Sequence, residues 1–328
     1  MDARLVPVNA VLALVARDGG WFENLSQQGF RLHALELDVQ STPGVIRVDV
    51  LLYRTDPDVI LLVENKSGRN VEERQARGYA AAELTGVRSR GGVPNELMGR
   101  PDVLVRPLYV CLEEHREDIV RSLAALEVET SILSVGAGRA QLDGPVPPGL
   151  TPFESVDARL GLPPVRIRVD AESPIEEFMA ILVQCVVAAD VRGEQHVDLV
   201  DVARGAFQGH WVHLSVQAQR ELVGRFQKAA GQLSRGELRG LIRVEGSATV
   251  TARVAIVDSP ALADPRGAPQ RWQSLMRKAA RDLGRDGPSI VERQAQMSID
   301  DFAIDVAPAE DFEADLPIGD DRDTADDA

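Results

Sequence analysis

Cysteine is nearly absent from this chain: its 328 residues include only Cys111 and Cys185. Two thiols cannot build a disulfide framework, a four-cysteine zinc site or a cysteine-ligated iron–sulfur cluster. Long apolar runs are missing too; none approaches the roughly eighteen residues a membrane-spanning helix needs. The opening MDARLVPVNAVLALVARDGG carries acid and has no signal-cleavage pattern, so the expectation is a cytoplasmic protein without membrane contact. Neither Gly-x-x-x-x-Gly-Lys-Ser/Thr nor Gly-x-Ser-x-Gly occurs, which argues against a nucleotide-hydrolysing motor and the simplest serine hydrolase. Lysine is also scarce. Of 36 basic residues only Lys66, Lys228 and Lys278 are lysines, so a lysine here is a less casual choice than usual.

What is present is a globular composition, 44% hydrophobic and 27% charged, able to bury a sizeable core. The length points to two domains. The net charge of −15 is unevenly spread. Residues 300–328 hold 12 acids against the single base Arg322, whereas residues 214–298 hold 14 bases against 8 acids. A basic block followed by an acidic tail is an asymmetry that the whole-chain charge hides.

Hydrophobic spacing predicts helix from about Pro7 to Phe30, interrupted at Gly19-Gly20. Strands are expected at Leu32–Val39, Val45–Tyr53 and Asp58–Lys66, with turns at Ser41–Gly44 and Thr55–Asp58. A helix over Val71–Leu84 and a polar loop over Arg88–Pro101 follow. Then come a strand at Pro107–Leu112, a helix at Arg116–Leu126 and a last strand at Thr130–Val135. The fold class is therefore α/β: an antiparallel meander first, crossover connections later. Residues 144–170, rich in proline and glycine, read as a connector between a first domain (1–143) and a second (171–298). In the second, helices are expected at Ile175–Ala189, Val197–Phe207 and Ser215–Leu233, then two β runs within Arg239–Val257, then a basic helix at Arg271–Leu283. Residues 299–328 are expected to be a disordered acidic tail.

The chemistry concentrates at Asp49 on the second strand and Glu64-Asn65-Lys66 at the end of the third. Side chains alternate along a strand, so Glu64 and Lys66 share a face, and Asp49 lies on the neighbouring strand of the hairpin. Two adjacent carboxylates repel each other and are costly to desolvate unless a hard divalent cation lies between them. An ammonium beside that cation can orient a water and stabilise charge developing on phosphorus oxygens. The plain alternative is a surface hairpin end where Glu64 and Lys66 form a solvated ion pair.

Strand Asp followed by Glu-x-Lys resembles the PD-(D/E)XK nuclease superfamily, and Gln75-Ala76-Arg77-Gly78-Tyr79 resembles the Gln-x-x-x-Tyr motif of its RecB-like branch. A spacing of four puts Gln75 and Tyr79 on one helical face. The resemblance covers about residues 7–135 and implies a restriction-endonuclease-like core: a mixed sheet flanked by helices. It implies Mg2+ or Mn2+ as cofactor, held by Asp49, Glu64 and the Asn65 carbonyl, with Lys66 positioning water. Gln75 and Tyr79 would join the catalytic set. Many members carry an acid on the first helix, the position of Glu23; Glu36 and Asp38 on the first strand are alternatives. The proline-aspartate pair that names the family is absent, since Val48 precedes Asp49.

Three helices and a β-hairpin in a basic block suggest a winged helix, with Ser215–Leu233 facing DNA through Arg220, Arg225 and Lys228 and with Gly246 at the wing tip. A helical packing or dimerisation unit is the alternative. His210 and His213, the only close histidine pair, lack a carboxylate or cysteine at fixed spacing and read as packing residues. The functional expectation is a metal-dependent deoxyribonuclease, free-standing or activated by a protein partner in defence or DNA processing. The alternative is a catalytically silent scaffold that binds DNA or a partner.

Overall fold

A computed structural model describes residues 3–42, 44–236, 238–246 and 252–259. The expected helix at Arg271–Leu283 and the acidic tail lie outside these residues. Seven strands form one sheet: β1 (Arg31–Ser41), β2 (Gly44–Thr55), β3 (Asp58–Lys66), β4 (Leu104–Leu112), β5 (Ser131–Gly136), β6 (Arg139–Asp143) and β7 (Phe153–Val156), in sequence order across the sheet. The pairs β3–β4 and β4–β5 are parallel and the other four antiparallel, so the α/β class and the mixed sheet are as expected. Two strands are additional. β6 and β7 are four or five residues long, and β7 falls within the expected connector.

Helices cover both faces. On one lies α1 (Val6–Val15); the short α2 (Asn24–Gln27) follows it. The predicted long N-terminal helix is thus two pieces with a turn around Gly19-Gly20. On the other face lie α3 (Glu73–Ala80), α4 (Leu84–Arg88) and α5 (Arg116–Ala125). Gly86 in α4 sits so close to β1 that a Cβ there would fall 1.8 Å from the Gln40 carbonyl oxygen.

The second half contributes α6 (Ile175–Val191), β8 (His196–Asp198), α7 (Leu199–Ala206), α8 (Val216–Arg235), β9 (Ile242–Glu245) and β10 (Arg253–Ile256). Its three strands pair antiparallel in the order β8-β10-β9. Asp198 caps α7 through the Val200 N–H (2.8 Å), and Ser215 caps α8 through the Ala218 N–H (3.1 Å). α8 buries Ala218, Leu222, Val223, Phe226, Ala229, Ala230 and Leu233, one stripe at helical spacing.

The halves share a core. One apolar cluster runs from α1 and the sheet residues Leu61, Val63 and Leu108 through Val169 to Phe178 and Phe226. Asn9 of α1 stitches the connector onto it. Its side chain donates to the carbonyls of Leu5 (2.8 Å) and Ile167 (3.0 Å) and accepts from the N–H groups of Arg166 (2.6 Å) and Ile167 (2.7 Å). All four hydrogen-bonding capacities of the buried amide are filled.

A substitution pair tests the α4–β1 approach. Gly86→Ala should lower unfolding free energy by about 3 kcal/mol, because a backbone carbonyl must move to admit the methyl group. Gly224→Ala in α8, where a Cβ meets nothing within 4 Å, should raise it by about 0.5–1 kcal/mol. Urea denaturation of both variants checks the contrast; equal effects would contradict the packing described.

Candidate active site

The site forms where β2 leaves β3. Their ladder begins at Thr55↔Asp58 and ends at Val50↔Val63. Beyond that point β2 pairs only with β1, down to Ser41↔Gly44, while β3 runs on to Lys66 beside β4 alone. Asp49 and Glu64 are the first residues past the last rung. A side-chain oxygen takes the place of the missing rung: the Asn65 N–H donates to Asp49 Oδ2 at 2.6 Å.

The parting coincides with a turnover of the β1–β2 hairpin. Leu35 and Val50 pack in the cluster under α1, whereas Leu37 and Val48, paired two residues further on, pack in the cluster under α3 and α4. Strict alternation would keep each strand's pair on one face. Both strands turn over between these positions, at Glu36 and Asp49, and Glu36 has φ +52°. Tyr79 of α3 fills the fork. Fully buried, its hydroxyl donates to the Arg47 carbonyl (3.0 Å) and approaches the Val63 carbonyl (3.5 Å), touching one branch with each.

Around the fork lies a cleft of about 450 Å3 lined by, among others, Glu36, Asp49, Glu64, Lys66 and Gln75. Glu64 is only 3% exposed. Lys66 Nζ contacts Glu64 Oε1 at 2.7 Å and donates to Gln75 Oε1 at 2.6 Å, with 13% of its side chain exposed. These burials exclude the solvated surface ion pair. Among the described residues, the buried Glu64 Oε2 and Asn65 Oδ1 have no hydrogen-bond partner. Burial, reinforced by the charges of Glu64 and Glu36, pushes the Asp49 carboxyl well above its usual range. Burial raises Glu64 as well, against the opposing pull of Lys66. Glu36 is pushed up to about 7, chiefly by burial and then by Asp170. Lys66 and Arg47 oppose these shifts, yet burial still raises all three acids.

A hard divalent cation suits two neighbouring carboxylates, one with an oxygen that has no partner among the described residues. Among the described residues no three His, Cys, Asp or Glu side chains gather closely enough to enclose a metal. The protein would supply two carboxylates and the Asn65 carbonyl, leaving other positions to water and substrate oxygens, as suits Mg2+.

Asp49, Glu64, Asn65, Lys66 and Gln75 all line the cleft, as the motif spacing predicts. Tyr79 is buried and does not line the cleft; its hydroxyl braces the strands through backbone carbonyls and also pulls on the Glu64 carboxyl. Glu23 is placed elsewhere: it precedes α2, accepts the Gly19 N–H at 2.8 Å and does not line the cleft. The turn that splits the N-terminal helix carries it away. In its stead the cleft gains Glu36, the alternative on the first strand, together with Asp170 at the end of the connector and Glu172 just after it, which the sequence did not single out.

On α8, Arg220 and Lys228 are exposed. Arg225 turns inward: its guanidinium donates to the Ser173 carbonyl and lies 4.9 Å from the centre of the Phe178 ring. A planar cation that covers an aromatic face is committed to packing, so of the three bases expected on this face only Arg220 and Lys228 are exposed. No family model matches the chain, and no curated protein or solved structure was found to be similar to it.

The raised carboxyls have a consequence for stability. A folded-state acid that binds its proton more tightly than the unfolded chain contributes stability at low pH, lost as pH rises toward the folded value. With Glu36 at about 7, the loss spans roughly pH 4.5 to 7. Asp49→Asn removes an acid that burial makes costly to ionise, so the metal-free variant should melt higher than wild type at pH 7, with the gap closing near pH 4. A lower melting temperature at pH 7 would contradict the electrostatics.

Proposed function

We propose that the chain is a metal-dependent nuclease hydrolysing phosphodiester bonds, DNA being the expected substrate, with a core of the PD-(D/E)XK type. The observation that carries the reading is the convergence of Asp49, Glu64 and Lys66 at a strand fork, with Glu64 Oε2 buried and unpartnered. The parallel β3–β4–β5 centre flanked by antiparallel strands supports it. When bound there, a divalent cation would supply charge to offset the scissile phosphate and would make a bound water more acidic. Asp49, Glu64 and the Asn65 carbonyl would hold that Mg2+ or Mn2+.

Lys66 supplies an ammonium fixed by Glu64 and Gln75. With two protons committed to these partners, the third points along a restricted direction, toward water or a phosphate oxygen. Gln75 positions Lys66. Tyr79 keeps the fork open at a fixed width through backbone carbonyls; burial holds its phenol well above its usual range, so it remains a donor.

The order α6-β8-α7-α8-β9-β10, with β10 between its partners, supports a winged-helix reading of the second half. Residues 247–251, where a wing would turn, lie outside the described residues. Arg220 and Lys228 would meet substrate phosphates, a contact that weakens with salt.

Purified protein with Mg2+ or Mn2+ should cut circular or linear DNA, and chelation should stop it. Asp49→Ala, Glu64→Ala and Lys66→Ala should each reduce the rate by about a thousandfold. Cleavage that persists in all three variants would refute the reading. If DNA binds but no variant or wild type cuts it, a silent DNA-binding scaffold is the better account.

A further inference from the structure

Glu36 takes an unusual backbone for its place. It lies within an 11-residue strand yet has φ +52°, the left-handed region that a side-chain-bearing residue adopts only when neighbours hold it there. By register it stands opposite Asp49, since Leu35 pairs with Val50 and Leu37 with Val48, and it lines the same cleft as Asp49 and Glu64.

What holds it comes from the second half of the chain. Leu214 bridges to Leu35 along the free edge of β1. The Ser215 N–H donates to the Leu35 carbonyl (3.3 Å), and Ser215 Oγ donates to the Glu36 carbonyl (3.0 Å). The same hydroxyl accepts the Ala218 N–H as the N-cap of α8. One side chain thus ties the start of α8 to the turned-over residue of β1. A turn and a half on, Glu221 of α8 grips Arg47 of β2, with Oε2 2.8 Å from Nη1 and Oε1 3.3 Å from Nη2. Arg47 also lines the cleft. α8 therefore contacts β1 and β2, the paired strands that carry Glu36 and Asp49, on one side of the fork.

We infer that Glu36 is a third carboxylate of the reaction centre and that Ser215, the N-cap of α8, is its positioning residue. The inference rests on the nuclease reading. Glu36 accepts hydrogen bonds from water in the cleft beside Asp49, and Ser215 fixes the backbone that aims it. The second half is then part of the active site and not a separable module. A helix read as facing nucleic acid ends directly on a reaction-centre residue.

The test uses the full chain with Mn2+ and compares wild type with Glu36→Gln, Ser215→Asp and Ser215→Thr, measuring kcat, KM and Mn2+ affinity by calorimetry. Aspartate can still cap α8 but cannot donate to the Glu36 carbonyl, so it should fold and isolate the positioning contact. Glu36→Gln should lower kcat about a hundredfold with KM changed by less than about threefold. Ser215→Asp should lower kcat about tenfold, and Ser215→Thr, which keeps the hydroxyl, should stay within about twofold of wild type. Wild-type kcat in Glu36→Gln overturns the third carboxylate. Wild-type kcat in Ser215→Asp, or a threonine variant as impaired as the aspartate one, overturns the positioning. A wild type that cuts while these variants are unaffected refutes this inference alone; one that neither binds Mn2+ nor cuts removes the nuclease reading and this inference with it.

Discussion

At the end of the β2–β3 ladder the Asn65 N–H turns to the carboxylate of Asp49 instead of a main-chain oxygen. That substitution lets two strands part without leaving a buried donor unsatisfied, a cost the fold would otherwise carry. Parting brings Asp49 and Glu64 together at the mouth of the fork, Tyr79 spans its branches, and the cleft opens between them. The arrangement is electrostatically uphill in the bare protein, because burial raises both carboxyls despite the Asn65 N–H on Asp49 and Lys66 on Glu64. Sites that work against their own fold are where proteins place chemistry.

Much of this was legible in the sequence, for a physical reason. A tight hairpin fixes which residues face one another, so the distances from Thr55-Asp58 back to Asp49 and on to Glu64 set the pairing before any tertiary contact is known. The spacing of Gln75 and Tyr79 fixed one helical face in the same way, and the first reached Lys66. Glu36 was legible only as an alternative acid, set opposite Asp49 by the Ser41–Gly44 turn, and its left-handed backbone was not legible at all. Leu35-Glu36-Leu37-Asp38-Val39 alternates cleanly, and alternation alone assigns Glu36 to the face opposite the leucines. Its position depends on a left-handed residue that Ser215 holds from far along the chain. Asp170 and Glu172 were equally hidden, because Asn9 folds the connector back against α1. Arg225 turns instead to a neighbour, Phe178, that no helical periodicity of α8 reveals.

The same long-range contacts argue against treating the halves as independent. A proline-rich stretch suggested a linker, yet it supplies a strand and buries Ile167 and Val169 in a core common to both halves. α8 buries one stripe against this core while its first turns grip β1 and β2 through Ser215 and Glu221. In the reading offered here, catalysis and nucleic-acid engagement share a helix, so the geometry of one constrains the other.

The most direct test of the central claim is a Mn2+ soak of crystals, read by anomalous scattering. The account expects a peak bridging Asp49 and Glu64 within coordination distance of the Asn65 carbonyl, where Glu64 Oε2 now lacks a partner. A peak elsewhere, or none while the Lys66–Glu64 contact stays intact, would contradict it.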